Sequence, residues 1–504
     1  MDSPRQILRR AFSRRTAIAV AVLALAAGAA RAEPWLPVGD PTLRSDVEIL
    51  AAHGLIDNLV TTWPIPAGQM SQLNNEQLIA RQPEFVRMAA ARVLSKLLRD
   101  GKPRGLEQEV GLRLTNEPDT VRDFGTAARS YVTGQAGLIW DAEQFGAALK
   151  LSDQPRLDGS HEGPALDGSY FSLLLDNWQL YGGWVDQWYG PGWTSSMTLS
   201  NNARPVPKLG IMRNNPHAFD TPWLSWIGPW QFNTFIGVLD GPRIDTNTLY
   251  LGVRFTFEPI HGLELGLART SEACGRHHRC RAFDEFHFTN SDSNPNPVND
   301  EATMDVKYTR SIGILSVSPY AQLMNEDTGP FVHSATSYLI GSSMTAPWGS
   351  DGAHWRVTAE YADSVATLNW FDFGKKTYGA AYTDYKYIDG DRYRGRTLGF
   401  SLDSDSRLFS LAAALTSARA WTYRLVYYRA TINTPQTAAS QQAGSPYLRN
   451  SVSTQPVQFN EIEAALSVPL RPWTFDLSVR GQDAQAYPKP GGKVSAELAV
   501  GYRF

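Results

Sequence analysis

Cysteine is nearly absent from this chain: Cys274 and Cys280 are the only two among 504 residues. A scaffold held together by many disulfides, or a cluster of cysteine-bound metals, is therefore excluded. Beyond residue 32 the sequence also lacks any uninterrupted apolar run near 18 residues, which excludes a membrane-spanning helix in the body of the protein. Excess positive charge is missing as well. The chain carries 47 Lys and Arg against 50 Asp and Glu, whereas a nucleic-acid binder would be basic.

The first 32 residues are an exception to this composition. Arg5, Arg9, Arg10, Arg14 and Arg15 precede the run "TAIAVAVLALAAGAA" and an "ARA" site, which together read as a secretory signal peptide cleaved after Ala32. The apolar run is short for an anchor. Without the leader, 41 basic side chains face 49 acidic ones, a net charge of about −8. Export also puts the two cysteines where disulfides persist.

What is abundant is aromatic: 15 Trp, 20 Tyr and 21 Phe, together with 41 Gly. Residues 33–104 read as helical. "TLRSDVEILAAHGLID" places Leu43, Val47, Leu50 and Ala51 on one face, with His53 as a C-terminal cap. "PEFVRMAAARVLSKLLRDGK" opens on Pro83 and repeats the pattern with Phe85, Met88, Ala89, Val93 and Leu97.

From residue 105 onward the period becomes two. In "LYLGVRFTFE", Leu249, Leu251, Val253, Phe255 and Phe257 alternate with Tyr250, Gly252, Arg254, Thr256 and Glu258. "TLGFSLD" at 397–403, "EIEAALSVPL", "WTFDLSVR" and the terminal "ELAVGYRF" alternate in the same way. Tight connections ("EPIHG", "SARAW", "VPLRP") contrast with long polar ones at 271–301, 433–455 and 484–493. Short turns at one end and long loops at the other are the layout of an outer-membrane barrel, which must close because lipid satisfies no backbone amide. The expectation is an all-β antiparallel transmembrane barrel of about 18 strands over 105–504, with 33–104 as a small α-helical periplasmic segment. Phe504 would then end the strand that seals the cylinder.

The most unusual stretch is 178–207, "WQLYGGWVDQWYGPGWTSSMTLSNNARPVP". With "SDVEILAAHGLI", "GPWQFNTFIG" and "RYRGRTLGFSLDSDSR", it resembles the Wzi family of capsule-assembly proteins along essentially the whole mature chain. That resemblance implies a monomeric outer-membrane barrel, folded by the barrel-insertion machinery. Such a protein would bind capsular or related exopolysaccharide as a lectin, with no cofactor, metal or catalytic activity. One departure is Gln187, where the family pattern has Arg after the acid.

Sugar rings present apolar C–H faces, so Trp184, Trp188, Tyr189 and Trp193 are candidate glycan platforms. The alternatives are an aromatic girdle at the lipid interface or packing inside the corner. Arg204 and Arg213, and the inward-facing Arg254, Arg356 and Arg480, match carboxylates in a two-point fork. Inward Glu360, Asp403, Glu463, Asp476 and Glu497 would instead neutralise these arginines among themselves. "CGRHHRC" offers zinc-type ligands, but its adjacent His277 and His278 would struggle to complete a tetrahedron, so a Cys274–Cys280 disulfide is expected. No Ser-His-Asp or phosphate-loop motif emerges. A porin-type channel for small solutes is the alternative to a polysaccharide binder.

Overall fold

A computed structural model describes residues 34–98, 105–142, 144–153, 164–278, 280, 298–326, 335–369, 372, 374–487 and 492–504. The expected leader and its cleavage site lie outside the described residues.

Eighteen antiparallel strands close into a barrel. The first, Gly105–Thr115, pairs with the last, Val494–Arg503, so that Leu498 faces Leu114 and Val500 faces Leu112. Phe504 extends the seam: it exchanges two backbone hydrogen bonds with Gln108, at 2.9 and 3.0 Å. The C-terminus is thus fully committed to closure.

Period-two alternation becomes an outside and an inside. Along Thr248–Ile260, Leu249, Leu251, Val253, Phe255 and Phe257 point outward, while Tyr250, Arg254, Thr256 and Glu258 are buried in the lumen. Leu112, Ile236, Ile340, Leu425, Ile462 and Leu477 continue the apolar exterior around the circumference. A soluble monomer does not expose an apolar belt of this extent. At the short-turn end, Trp473 and Tyr502 pack with centroids 4.6 Å apart and Phe504 lies 5.2 Å from Tyr502, forming part of an aromatic girdle.

Three helices precede the barrel: α1 Pro41–Ala52, α2 Glu76–Ala80 and α3 Glu84–Leu97. Asp40 caps α1 by accepting the Leu43 N–H at 2.9 Å, Pro41 occupies the first turn, and His53 ends the helix with Nδ1 2.9 Å from the Ile49 carbonyl. The segment sits at the short-turn end: Thr42 meets Thr422 at 2.9 Å, and the Ser311 hydroxyl donates to the Ala52 carbonyl at 2.8 Å.

Yet α1 is more than a cover. Its polar face is buried too, because the helix is pushed into the barrel mouth. Lys307 on the wall reaches Glu48 at 2.8 Å, Arg44 lies 3.3 Å from the same carboxylate, and Arg92 holds Asp46 at 2.6 Å.

One sequence expectation fails. Residues 397–403 are not a two-sided barrel strand, since Leu398, Phe400 and Leu402 are buried and so are Thr397, Ser401 and Asp403 between them. This stretch belongs to an insertion, 374–406, that folds back into the lumen. There both faces meet protein, so alternation has no water side to report.

Candidate functional site

The 184–207 segment descends from the long-loop rim into the barrel. Trp184 marks its start: half-buried, it trades backbone hydrogen bonds of 2.8 Å with Gly168 and Ser169. Gln187, where the family pattern has Arg, donates to the Tyr181 hydroxyl at 3.0 Å and accepts from Lys208 at 2.8 Å. An uncharged amide therefore both gives and receives inside this network.

At the bottom of the descent, Trp188 and Tyr189 pair as a short strand with Trp63 and Thr62 of the N-terminal segment. The chain then reverses through "GPG". At Gly192 a Cβ would lie 2.1 Å from the Ser195 carbonyl, so the reversal requires glycine here. Arg44 of α1 caps the turn, donating to the carbonyls of Pro191 at 2.7 Å and Gly192 at 2.8 Å. Its guanidinium lies 4.3 Å from the Trp193 ring and 4.6 Å from Phe124. From the wall, Glu360 accepts the backbone N–H groups of Trp193 at 2.7 Å and Thr194 at 3.2 Å.

These contacts place the candidate aromatics. Trp188 and Tyr189 are fully buried and Trp193 nearly so; all three pack inside the plug. Trp184 alone stays near the rim. Arg204 is tied to Asp167 by two hydrogen bonds of 2.9 Å. Arg213 is at the opposite, short-turn end, donating to the carbonyls of His217 and Trp230 and lying 3.7 Å over the Trp230 ring.

The inward charges neutralise one another. Arg254 pairs with Asp305 at 2.7 Å, Arg424 with Glu463 at 3.0 Å, Arg480 with Asp119 and Arg113 with Glu497. Asp403 is held by both Arg392 nitrogens within 2.8 Å, and Asp476 accepts from Ser467 at 2.6 Å. Arg356 stacks 3.1 Å from the Trp193 centroid instead of pairing. Between the helices and the strands at the seam a cavity of about 1330 Å³ remains, lined by charges of both signs such as Asp40, Arg113, Glu463 and Arg480.

Three further arginines escape this neutralisation, and the sequence did not single them out. Arg122 donates to the Asn202 carbonyl at 2.6 Å and Arg129 to the Asn201 carbonyl at 2.8 Å. Arg396 donates to the carbonyls of Asp119 at 3.0 Å and of Thr120 and Ser401 at 3.3 Å. Among the described residues none of the three forms an ion pair. Burial, then repulsion by Arg396 and Arg129, pushes Arg122 well below the usual guanidinium range. Burial and the charge of Arg129 likewise bring Arg396 down to about 10. Asp186 attracts Arg129, and Asp403 attracts Arg396, only through space. Arg129 and Arg396 keep part of their surface open. Arg122 and Arg129 thus hold the "SNNARP" carbonyls, while Arg396 reaches from the insertion to the carbonyls just before Arg122. Arg122 and Arg396 lie far apart in sequence, and the 116–131 connection brings them together.

Cys274 and Cys280 are joined, with their Cα atoms 4.6 Å apart. His278 is occupied elsewhere, 3.1 Å from Asp245 and 4.2 Å from the Tyr387 ring.

Comparison with known proteins gives three findings. The model of the family described as "Capsule assembly protein Wzi" matches residues 106–487. A Klebsiella pneumoniae protein, described as an uncharacterized 55.8 kDa protein in the cps region, is 28% identical over 339 residues. That alignment covers 64% of this chain and 64% of the relative, so the match spans a little under two thirds of the relative's length. Among solved structures, the Escherichia coli outer-membrane protein Wzi has 22% identity and a TM-score of 0.77, covering 93% of this chain and 99% of that one. It is described as a carbohydrate-binding β-barrel involved in group 1 capsule assembly. At that identity the likeness shows the fold.

Proposed function

Because the chain belongs to the capsule assembly protein Wzi family, we propose that it sits in the bacterial outer membrane as a monomer. There it binds capsular or related exopolysaccharide and helps assemble or anchor it at the cell surface. The observation that carries this reading is a barrel closed from within, whose long-connection side carries unpaired arginines. The 184–207 segment and the 374–406 insertion fill the lumen, and α1 stops its short-turn mouth. A glycan therefore meets loops, not a pore.

Guanidinium groups suit sugars that carry carboxylates, since each offers two parallel donors to two oxygens. Arg129 and Arg396 are the groups assigned here to direct contact, with Arg122 holding the "SNNARP" backbone beneath them and Trp184 offering a ring at the rim. Arg204 can contribute only by giving up Asp167. Trp188, Tyr189, Trp193 and Arg213 serve the fold. Because each contact is weak and the polymer repeats, retention comes from many molecules engaging one chain.

Deleting the gene in the source bacterium tests this. Surface polysaccharide should be shed into the medium while total synthesis is unchanged, and wild-type protein should restore retention. Unchanged retention in the deletion strain contradicts the proposal.

A further inference from the structure

The apolar exterior of the barrel is interrupted near its long-connection end. On the neighbouring strands Arg407–Thr416 and Thr422–Ile432 the outward positions are odd-numbered, as exposed Phe409, Leu411, Tyr423 and Leu425 show. Arg407 and Arg429 share that parity, so their side chains leave the wall on the membrane side. Phe409 stands directly opposite Arg429, and Thr431 opposite Arg407. The two arginines are therefore diagonal neighbours on one face, about 7–8 Å apart at the backbone. Both lie at the strand ends away from the tight 417–421 turn: Arg407 opens its strand, and Arg429 is three positions from Ile432.

Nearby carboxylates do not use up this charge. Arg407 and Lys376 share Asp363, at 3.1 and 3.6 Å. Asp483 accepts from the backbone and side-chain N–H groups of Asn460 at 2.7 Å each, and Asn460 stands opposite Arg429 on the next strand. Arg429 itself is exposed and, among the described residues, makes no ion pair or hydrogen bond. Three cations thus face two carboxylates. The inward arginines differ, since Arg254, Arg424 and Arg480 each meet an acid in the lumen. A lipid-facing arginine is costly at mid-membrane and cheap at the interface, where headgroups reach it.

We propose that Arg407, Arg429 and Lys376 bind the phosphate of an outer-leaflet lipid, whose acyl chains lie along Phe409, Leu411 and Leu425. A guanidinium presents parallel donors to phosphate oxygens, and two of them on one diagonal can grip a single headgroup. The apolar side chains continue directly from the arginines down the same face, so the anion that fits here is one joined to hydrocarbon. A soluble anion would gain the charge contacts alone, whereas a lipid also buries its chains. This inference rests on the barrel standing in the outer membrane. It does not depend on polysaccharide binding, because these side chains leave the wall on the side opposite the lumen plug.

The test uses the full chain in detergent, washed free of copurifying lipid, with diphosphoryl lipid A as the probe and native mass spectrometry to count what is bound. Saturable binding is expected. Lipid A stripped of its phosphates keeps every acyl chain and should bind at least tenfold more weakly. R429Q removes a charge that holds no other group and should weaken binding at least threefold, and R407Q/R429Q at least tenfold. Inorganic phosphate should not displace the lipid. The double variant should retain acidic polysaccharide as the wild type does; a loss there would assign these arginines to the glycan instead. Equal binding of phosphorylated and stripped lipid, wild-type binding by R407Q/R429Q, or displacement by inorganic phosphate would overturn the proposal. Should the double variant fail to fold, R429Q and the stripped lipid still decide the matter.

Discussion

Glu360 on the barrel wall receives the backbone N–H of Trp193 at 2.7 Å, across 167 positions of sequence. This bond fastens the inward segment to the cylinder, and the hydroxyl of Tyr320 supports it with a 3.0 Å hydrogen bond to the same carboxylate.

Glu360→Ala should therefore loosen the plug. Two backbone donors and one hydroxyl lose a buried acceptor, a cost of about 3 kcal/mol. Wild-type protein in a planar bilayer should conduct far less than an open barrel of this size, and the variant should show frequent openings. A wild-type conductance as large as that of an open porin would favour the channel alternative.

Arg254 and Asp305 form a fully buried pair that also reaches Thr61 and Thr62. Removing one partner strands a charge, so Arg254→Met should destabilise by about 3–5 kcal/mol. The double variant R254M/D305L should recover most of that loss. The temperature at which the compact form converts to the unfolded band on a gel measures both.

Burial raises the carboxyl of Asp46 to about 6 in spite of its bond to Arg92. The folded protein then holds this proton where the unfolded chain has already released it. Stability from this group is accordingly greatest below pH 4 and falls as pH rises to about 6, by up to about 3 kcal/mol. Asp46→Asn should flatten that slope in a pH series of melting curves. An unchanged slope would place the titration on another group.

The alternation from Thr248 to Glu258 was legible because a lipid-facing sheet has one wet or packed side and one greasy side at every second residue. The seal at Phe504 was legible for the same reason. By contrast, "TLGFSLD" alternates equally well yet lies inside the lumen, where burial carries no period. For Trp188, Tyr189 and Trp193 the sequence left glycan platform, lipid-interface girdle and packing inside the corner open, because the choice depends on the descent through Gly190–Gly192. Sequence spacing is silent on Arg122, Arg129 and Arg396, and on Arg407, Arg429 and Lys376. Each set is assembled by strand register and by loops that fold back, which local patterns do not encode.

The central claim is that unpaired arginines at the loop side hold an acidic glycan. It is tested most directly by immobilising the detergent-solubilised protein and passing over it the source bacterium's surface polysaccharide, native or carboxyl-reduced. The account predicts that native polymer is retained, that carboxyl reduction weakens retention at least tenfold, and that R129A/R396A does the same, since each charged hydrogen bond contributes about 1.5–3 kcal/mol. Equal retention of native and reduced polymer, or wild-type retention by R129A/R396A, would contradict it.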